Sequence, residues 1–364
     1  MLKQELFAQI TWQDGRRAPY RRFSYGGEIL QRFSDQVTTW GSFNAQWRLV
    51  HRKAFMPTLN DAEGEGRPDT FFEYHNLYFD RFNVFDAFLS PEARRQHLGR
   101  FNLRVGRFYV PHGLNLQTDT HGTLLQLSNE RNLGFERDWY AGLWGALSPA
   151  LNYDLAMMAG SGYDLRLEGQ KGLLALRISL ANRFLYEHGW EGGISVLSGE
   201  RISKHSLMRS PSVAARSTDG RFIETRRLGL DARHTRPLPW GTLTMTGEWS
   251  AGRDASDDIL SQLYQVDFLR RDRRLGYALQ YRRFRQGSEP VPMPMGRSAM
   301  SRAEPSTAAP GPIEASLVGE ATWYFRHEVG NANLHWIKLS VERQMERQVG
   351  GRQVLATVQY YRYW

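Results

Sequence analysis

The sequence predicts an all-β protein: a transmembrane antiparallel β-barrel of about sixteen strands, within a range of roughly 14 to 18, with long extracellular loops and short periplasmic turns. Three observations predict it. Strand-like runs with period-two alternation fill the chain from end to end, short and long connections alternate between them, and the last thirteen residues, Arg352 to Trp364, alternate apolar and polar side chains up to an aromatic terminus. In lipid every backbone polar group must be paired within the protein, so a spanning sheet has to close and its last strand must carry a lipid-facing stripe. Val354, Ala356, Val358, Tyr360 and Trp364 supply that stripe. Arg362 interrupts it one step from the end, where a long cation can snorkel to headgroups beside Tyr361, Tyr363 and Trp364.

The predicted strands run over 4–13, 22–32, 36–50, 69–80, 98–110, 137–147, 150–160, 172–184, 188–199, 222–235, 240–252, 259–270, 273–286, 314–328, 331–345 and 352–364. Each is long enough for the ~9 to 11 tilted residues that cross an outer membrane. Short links fall at Phe33 to Asp35, Ser148-Pro149, Leu185 to Glu187, Arg236 to Pro239, Arg271-Asp272 and Val329-Gly330. Longer ones lie near 14–21, 51–68, 111–136, 161–171, 200–221, 253–258, 287–313 and 346–351. Counted back from a periplasmic C-terminus, the short links all share the periplasmic side. The link at 81–97 is longer, and Ser90-Pro91-Glu92 in it reads as an N-cap followed by proline at the first helical position, so a short helix is expected there. No domain boundary shows: residues 1–364 read as one barrel domain. Pro290, Pro292, Pro294, Pro305, Pro310 and Pro312 mark 287–313 as a mobile extracellular loop.

The two faces sort by parity. Leu174, Leu176, Ile178 and Leu180 point opposite to Ala175, Arg177, Ser179 and Arg183. Leu243, Met245, Gly247 and Trp249 oppose Thr242, Thr244, Thr246 and Glu248; Phe101, Leu103, Val105 and Tyr109 oppose Arg100, Asn102 and Arg104; and Ile337, Leu339 and Val341 oppose Lys338, Ser340 and Glu342. A soluble sandwich would show the same alternation, but sixteen such strands make one large apolar belt that no loop or helix here is rich enough to cover.

Composition fits and excludes. No run of about 18 apolar residues is present, which excludes a helical membrane protein, whereas 13% aromatic content, with 11 Trp, 16 Tyr and 19 Phe, suits interface girdles. There are no cysteines, so disulfides, Cys-ligated zinc, iron–sulfur ligation and covalent c-type haem are excluded within the chain, and no cofactor is expected. The net charge of +9 is almost all arginine and is spread along the sequence without a basic helix, which argues against nucleic acid. Met1 to Gln9 hold no apolar core before a small-residue cleavage site, so the numbering is expected to describe a mature or trimmed chain bound for the bacterial outer membrane.

If the polar face lines a lumen, its candidate cations are Arg48, Arg100, Arg104, Arg177, Arg183, Arg227, Arg233, Arg282 and Lys338, and its candidate anions are Asp231, Glu248, Asp267, Glu320 and Glu342. A guanidinium ring in a wet constriction lowers the barrier for anions; carboxylates pairing with the same groups would instead brace the wall. The expected partners are outer-membrane lipid, lipopolysaccharide and small anionic solutes, and the sequence leaves open whether the chain stands alone or forms a homotrimer.

Val105-Gly106-Arg107-Phe108-Tyr109-Val110-Pro111-His112-Gly113-Leu114 resembles the strand-to-loop sequence of the phosphate-selective porin family of Gram-negative outer membranes. The resemblance implies a porin fold and a constriction loop at 111–136, where Gln117, Asp119 and His121 would offer polar groups to the pore. Phosphate preference is not implied, because His112 stands where that family has an aromatic residue and its lysine cluster is missing. Catalytic signatures are poor, with no Gly-x-Ser-x-Gly, His-Glu-x-x-His or EF-hand spacing, and no enzymatic activity is expected. Asp119 with His121, and Asp61, Glu63 and Glu65, read as solvated loop groups rather than as half of a dyad or a calcium site. The expectation is a diffusion channel for small, mainly anionic solutes. The alternative is a sheath around a separate multihaem cytochrome in an electron conduit.

Overall fold

The computed structural model describes residues 2–15, 18–35, 38–53, 69–85, 88, 90, 92, 99–114, 125, 128–133, 135–162, 171–180, 189–202, 222–255, 257–288, 313–327, 333–346 and 353–364. Sixteen strands form the wall: β1 Leu2–Gln13, β2 Tyr20–Ser34, β3 Thr39–Lys53, β4 Asp69–Arg81, β5 Asn102–Tyr109, β6 Arg137–Ser148, β7 Leu151–Met158, β8 Leu173–Leu180, β9 Gly189–Ile202, β10 Phe222–Leu238, β11 Gly241–Asp254, β12 Asp257–Arg270, β13 Leu275–Ser288, β14 Ile313–His327, β15 Leu334–Glu346 and β16 Gln353–Tyr363. Each pairs antiparallel with its sequence neighbours, and β1 pairs with β16 to close the barrel. Closure is exact to the last residue in its bonding: Gln4 N–H donates to Trp364 O at 2.9 Å and Trp364 N–H returns to Gln4 O at 3.1 Å. No sheet edge is left, as a lipid-embedded sheet requires.

The predicted runs and the observed strands coincide one for one, with instructive differences at their ends. The β5 run was expected from residue 98, but Asn83 and Gly99 adopt left-handed φ of 51° and 74°, and Gly99 N–H donates to Asn83 Oδ1 at 2.7 Å. That turn postpones the strand to Asn102. The loop expected at 253–258 is shorter than read, because Asp254 and Asp257 are themselves ladder partners. β8 is described over Leu173–Leu180, and the remainder of the expected run, 181–184, lies outside the described residues. The helix expected after Ser90-Pro91-Glu92 and the 289–312 loop lie largely outside the described residues.

Parity sets inside from outside almost as expected. Leu339 and Val341 are each 55% exposed and Ile194 56%, while Lys338, Ser340 and Glu342 between and beside them are buried. One slip corrects the reading. Gly106 has φ +129°, and a Cβ there would lie 2.2 Å from the Leu77 carbonyl oxygen, so the backbone turns where a side chain could not follow. Beyond it burial no longer tracks parity: Arg107, Phe108 and Tyr109 are all buried although pairing with β6 continues without a shift, and Tyr109, whose hydroxyl accepts from Arg137, is covered rather than exposed to lipid.

Candidate functional site

The candidate site is the barrel interior and the β5–β6 connection that enters it. Pro111 sits in a tight reversal in which His112 N–H donates to Val110 O at 2.8 Å, turning the chain off the wall. Gly113 N–H then donates to Ser195 Oγ on β9 at 2.9 Å, and His112 Nε2 meets Ser250 Oγ on β11 at 3.0 Å. A six-residue helix, α1 (Ser128–Leu133), packs against β12. Its Asn132 Nδ2 donates to the same Ser250 Oγ at 2.9 Å, and Asn129 Nδ2 donates to His112 O at 2.7 Å. A segment rooted at β5 is therefore bonded to strands four to six places round the barrel, so it crosses the interior.

A buried charge cluster holds its far end. Asp254 on β11 pairs with Arg201 of β9 and with Arg227 of β10, the latter at 2.6 Å. Arg201 Nη1 also donates to Leu133 O at 3.0 Å, and Arg227 Nε to Asn132 Oδ1 at 3.3 Å. One carboxylate thus orients two guanidiniums, and both reach the last turn of α1, whose carbonyls carry the negative end of the helix dipole. Asp138, at the head of β6, accepts N–H bonds from Trp139, Gly160, Ser161 and Gly162. Arg107 Nε donates to Gly162 O at 3.3 Å, so the start of the β7–β8 connection is drawn to the same region. Between these polar fastenings lies an apolar core of Phe108, Tyr109, Val110, Leu133, Phe135, Tyr140, Met158, Leu173, Leu197 and Ile202.

His112 and Ser250 have the separation of a base and a nucleophile. Burial, and then the nearby Arg227 and Arg177 charges, push the imidazole down to about 3, its Nδ1 has no partner that would orient it as a triad base is oriented, and its Nε2 contact ties the loop to β11.

The sequence-predicted lumen cations are placed as follows. Arg48 is buried in a bidentate pair with Glu5 of β1 and also bonds His75, while Tyr361 Oη donates to Glu5 at 3.1 Å. Arg104 grips Asp80 with Nε at 2.7 Å and Nη2 at 3.0 Å, its guanidinium 3.8 Å from the Phe108 ring centre. Arg177 takes Asp231 in the same two-pronged way. Arg233 pairs with Glu191, Arg282 with Glu342 at 2.6 Å, and Lys338 with Glu320 at 2.9 Å. Glu248 is buried on the inner face of β11, and Asp267 accepts two bonds from Gln265. Arg100 lies in the turn before β5 and accepts the Tyr153 hydroxyl through its carbonyl. Arg183, Gln117, Asp119, His121, Asp61, Glu63 and Glu65 lie outside the described residues. Each described candidate cation on a strand thus has a carboxylate partner, the bracing arrangement rather than an open guanidinium ring.

No protein-family model matches the chain, and no curated protein matches it. Solved structures do, over the whole of this chain. OmpT of Vibrio cholerae superposes with TM-score 0.53 at 9% identity, covering 100% of this chain and 97% of that one. Salmonella typhi OmpF gives 0.52 at 11% identity, with 100% and 97% covered. Pseudomonas putida OprB gives 0.51 at 7%, with 100% and 91% covered. The fold is that of the outer-membrane porins. At these identities the likeness extends to the porin fold and stops there, so each side chain's role rests on the geometry above.

Sequence reasoning missed Ser195, Arg201, Ser250 and Asp254, which fasten the inward segment. Nothing in their local patterns distinguishes them from other polar wall positions. The helix could have been found: Ser128 precedes a short run that contains Glu130 and ends at Leu133 before Gly134, an N-cap residue and a terminal glycine at helical spacing.

Proposed function

We propose that the protein is a bacterial outer-membrane channel through which small hydrophilic solutes diffuse, narrowed by the β5–β6 connection acting as a constriction loop. The observation that carries the proposal is the set of bonds from His112, Gly113 and Asn132 to the β9–β11 wall, which put that segment across the interior of a sixteen-stranded barrel. Barrels of this size leave room for an aqueous path beside such a segment. The exposed apolar belt and the aromatics at both rims support lipid and lipopolysaccharide as surroundings, and the porin fold supports a trimer as the assembly. OmpT of Vibrio cholerae has a trimer form of the same fold.

The preference for anions is proposed as weak. The sequence's basic surplus favours it, while pairing of Arg48, Arg104, Arg177, Arg227, Arg233, Arg282 and Lys338 with carboxylates leaves dipoles along the wall rather than bare cations. The local resemblance of 105–114 to the phosphate-selective porins adds no phosphate preference, for want of their lysine cluster. The sheath reading is not favoured, because the space a multihaem cytochrome needs is crossed by the β5–β6 connection. Liposome swelling tests the proposal: proteoliposomes should admit small sugars and exclude larger oligosaccharides with a sharp cutoff. Swelling equal to protein-free liposomes for every solute would refute it.

A further inference from the structure

The lumen absorbs few of the arginines that make the chain basic; among the described residues a dense group outside it forms an arc on the short-turn rim between β10 and β14. Arg236 near the end of β10, Arg270 closing β12, Arg271, Arg273 and Arg274 in the β12–β13 turn, and Arg326 near the end of β14 are all exposed. The backbone holds them together. Arg270 is the register partner of Gly241, Arg271 N–H donates to Trp240 O at 2.8 Å, and Tyr324 N–H donates to Arg274 O at 2.9 Å. Arg273 takes a left-handed φ of 55° to close the turn. Among the described residues of this arc the one carboxylate is Asp272, paired with Arg270. That bond first, and then the Arg274 N–H, holds its carboxyl below the usual range.

Beside the cations stand exposed rings: Trp240 at 62%, Trp323 at 56%, Phe325 at 52% and Tyr277 at 50%. Further along the same strands Met245, Val266, Leu279 and Leu317 continue the apolar belt. Passing along the outer surface, the order is aliphatic, aromatic, guanidinium. That is the order in which a leaflet presents acyl tails, interface and phosphates. Guanidinium pairs phosphate oxygens two at a time, which a solvated lysine face would not do.

We propose that this arc binds the headgroups of anionic glycerophospholipids in the leaflet on the short-turn side. The proposal rests on the membrane reading for its setting but not on conduction. Elsewhere on this rim the described exposed arginines are sparser, with Arg32, Arg81 and Arg362 at the ends of β2, β4 and β16, so anionic lipid would be held most strongly at the arc.

The test uses the whole chain, purified in micelles containing equal amounts of phosphatidylglycerol and phosphatidylcholine, with bound lipid counted by native mass spectrometry. The wild type is expected to retain phosphatidylglycerol preferentially. R236Q/R271Q/R274Q/R326Q should lower that preference by about five-fold or more, on the scale expected for several arginines beside anionic lipid, and high salt should lower it too. R285Q/R343Q, which removes exposed arginines toward the opposite rim, should leave it unchanged. Equal retention of both lipids by the wild type, or an unchanged preference in the quadruple variant, overturns the proposal, as does complete displacement of the lipid by inorganic phosphate. Heat-modifiable migration and single-channel current from the same samples keep the two readings separate: lipid preference without current sinks the channel and spares the arc, and current without lipid preference does the reverse.

Discussion

The wall from β5 to β12 and the wall from β13 round to β4 are built from one alternation, yet their inner faces do different things. In the first arc inward side chains meet the β5–β6 connection, and the result is a protein core: Leu133, Phe135 and Tyr109 packed among Met158, Leu173 and Leu197, with Arg201, Arg227 and Asp254 buried beneath. In the second arc they meet one another across strands. Lys338–Glu320, Arg282–Glu342 and Arg48–Glu5 lie along the wall, with a smaller apolar group of Phe7, Trp336 and Tyr361. The difference teaches that parity decides which residues face inward, whereas what an inward residue does is decided by whether a loop covers it.

The strongest way to break this contrast is to remove the anion shared by two cations. Asp254→Ala leaves Arg201 and Arg227 buried without their carboxylate, and loss of one partner from such a cluster costs about 3 to 5 kcal/mol. Release of α1 should follow, seen as larger and noisier single-channel current and a lower temperature for loss of heat-modifiable migration; unchanged current would show that the latch lies elsewhere. Next in size, Leu133→Ala opens a cavity in the covered arc and should cost about 2 to 5 kcal/mol, whereas Leu339→Ala on the lipid face of the second arc should cost less than half as much. Denaturant midpoints of the refolded barrels decide it, and equal losses would erase the distinction between the arcs.

The third prediction concerns pH. The ordinary imidazole titrates near 6.5, while His112 in its buried place is held at about 3. Between those values the released loop binds the extra proton and the fastened loop does not, so the fastened state loses stability as pH falls through this window and keeps all of it above. Open-channel noise should therefore rise from pH 7 to pH 4 in the wild type. His112→Asn, which cannot titrate, should flatten that dependence; an identical pH profile in the variant would remove His112 from the latch. The smallest effect is expected in the second arc. Glu342→Gln frees Arg282 in a partly wet pair worth about 1 kcal/mol or less, so stability should barely move, while the reversal potential in a salt gradient shifts toward anions.

Much of this was legible in the sequence, and the reason is lipid. A belt that must be apolar on one side and paired along every strand writes period two into the chain, so β15 could be read from Ile337, Leu339 and Val341 against Lys338, Ser340 and Glu342. The loop was legible too, through Pro111 and Gly113 ending a strand. What escaped was partnership. Arg177 sits in register with Asp154, yet its carboxylate is Asp231 on β10, because long side chains reach past the ladder. Asp254 serves two strands at once, and beyond Gly106 side chains of both parities are buried, which alternation alone does not announce. Charge was the less specific signal: +9 over the chain does not say which lumen arginines carry acid partners, and the described strand candidates pair with carboxylates.

The central claim is that a loop fastened across the interior narrows a barrel that still conducts, and single-channel recording in planar bilayers tests it most directly. The account predicts discrete, stable open steps for the wild type, a modest anionic reversal potential, and a clear increase in unit conductance for Asp254→Ala. A correctly folded, heat-modifiable barrel that passes no current in either form would contradict it.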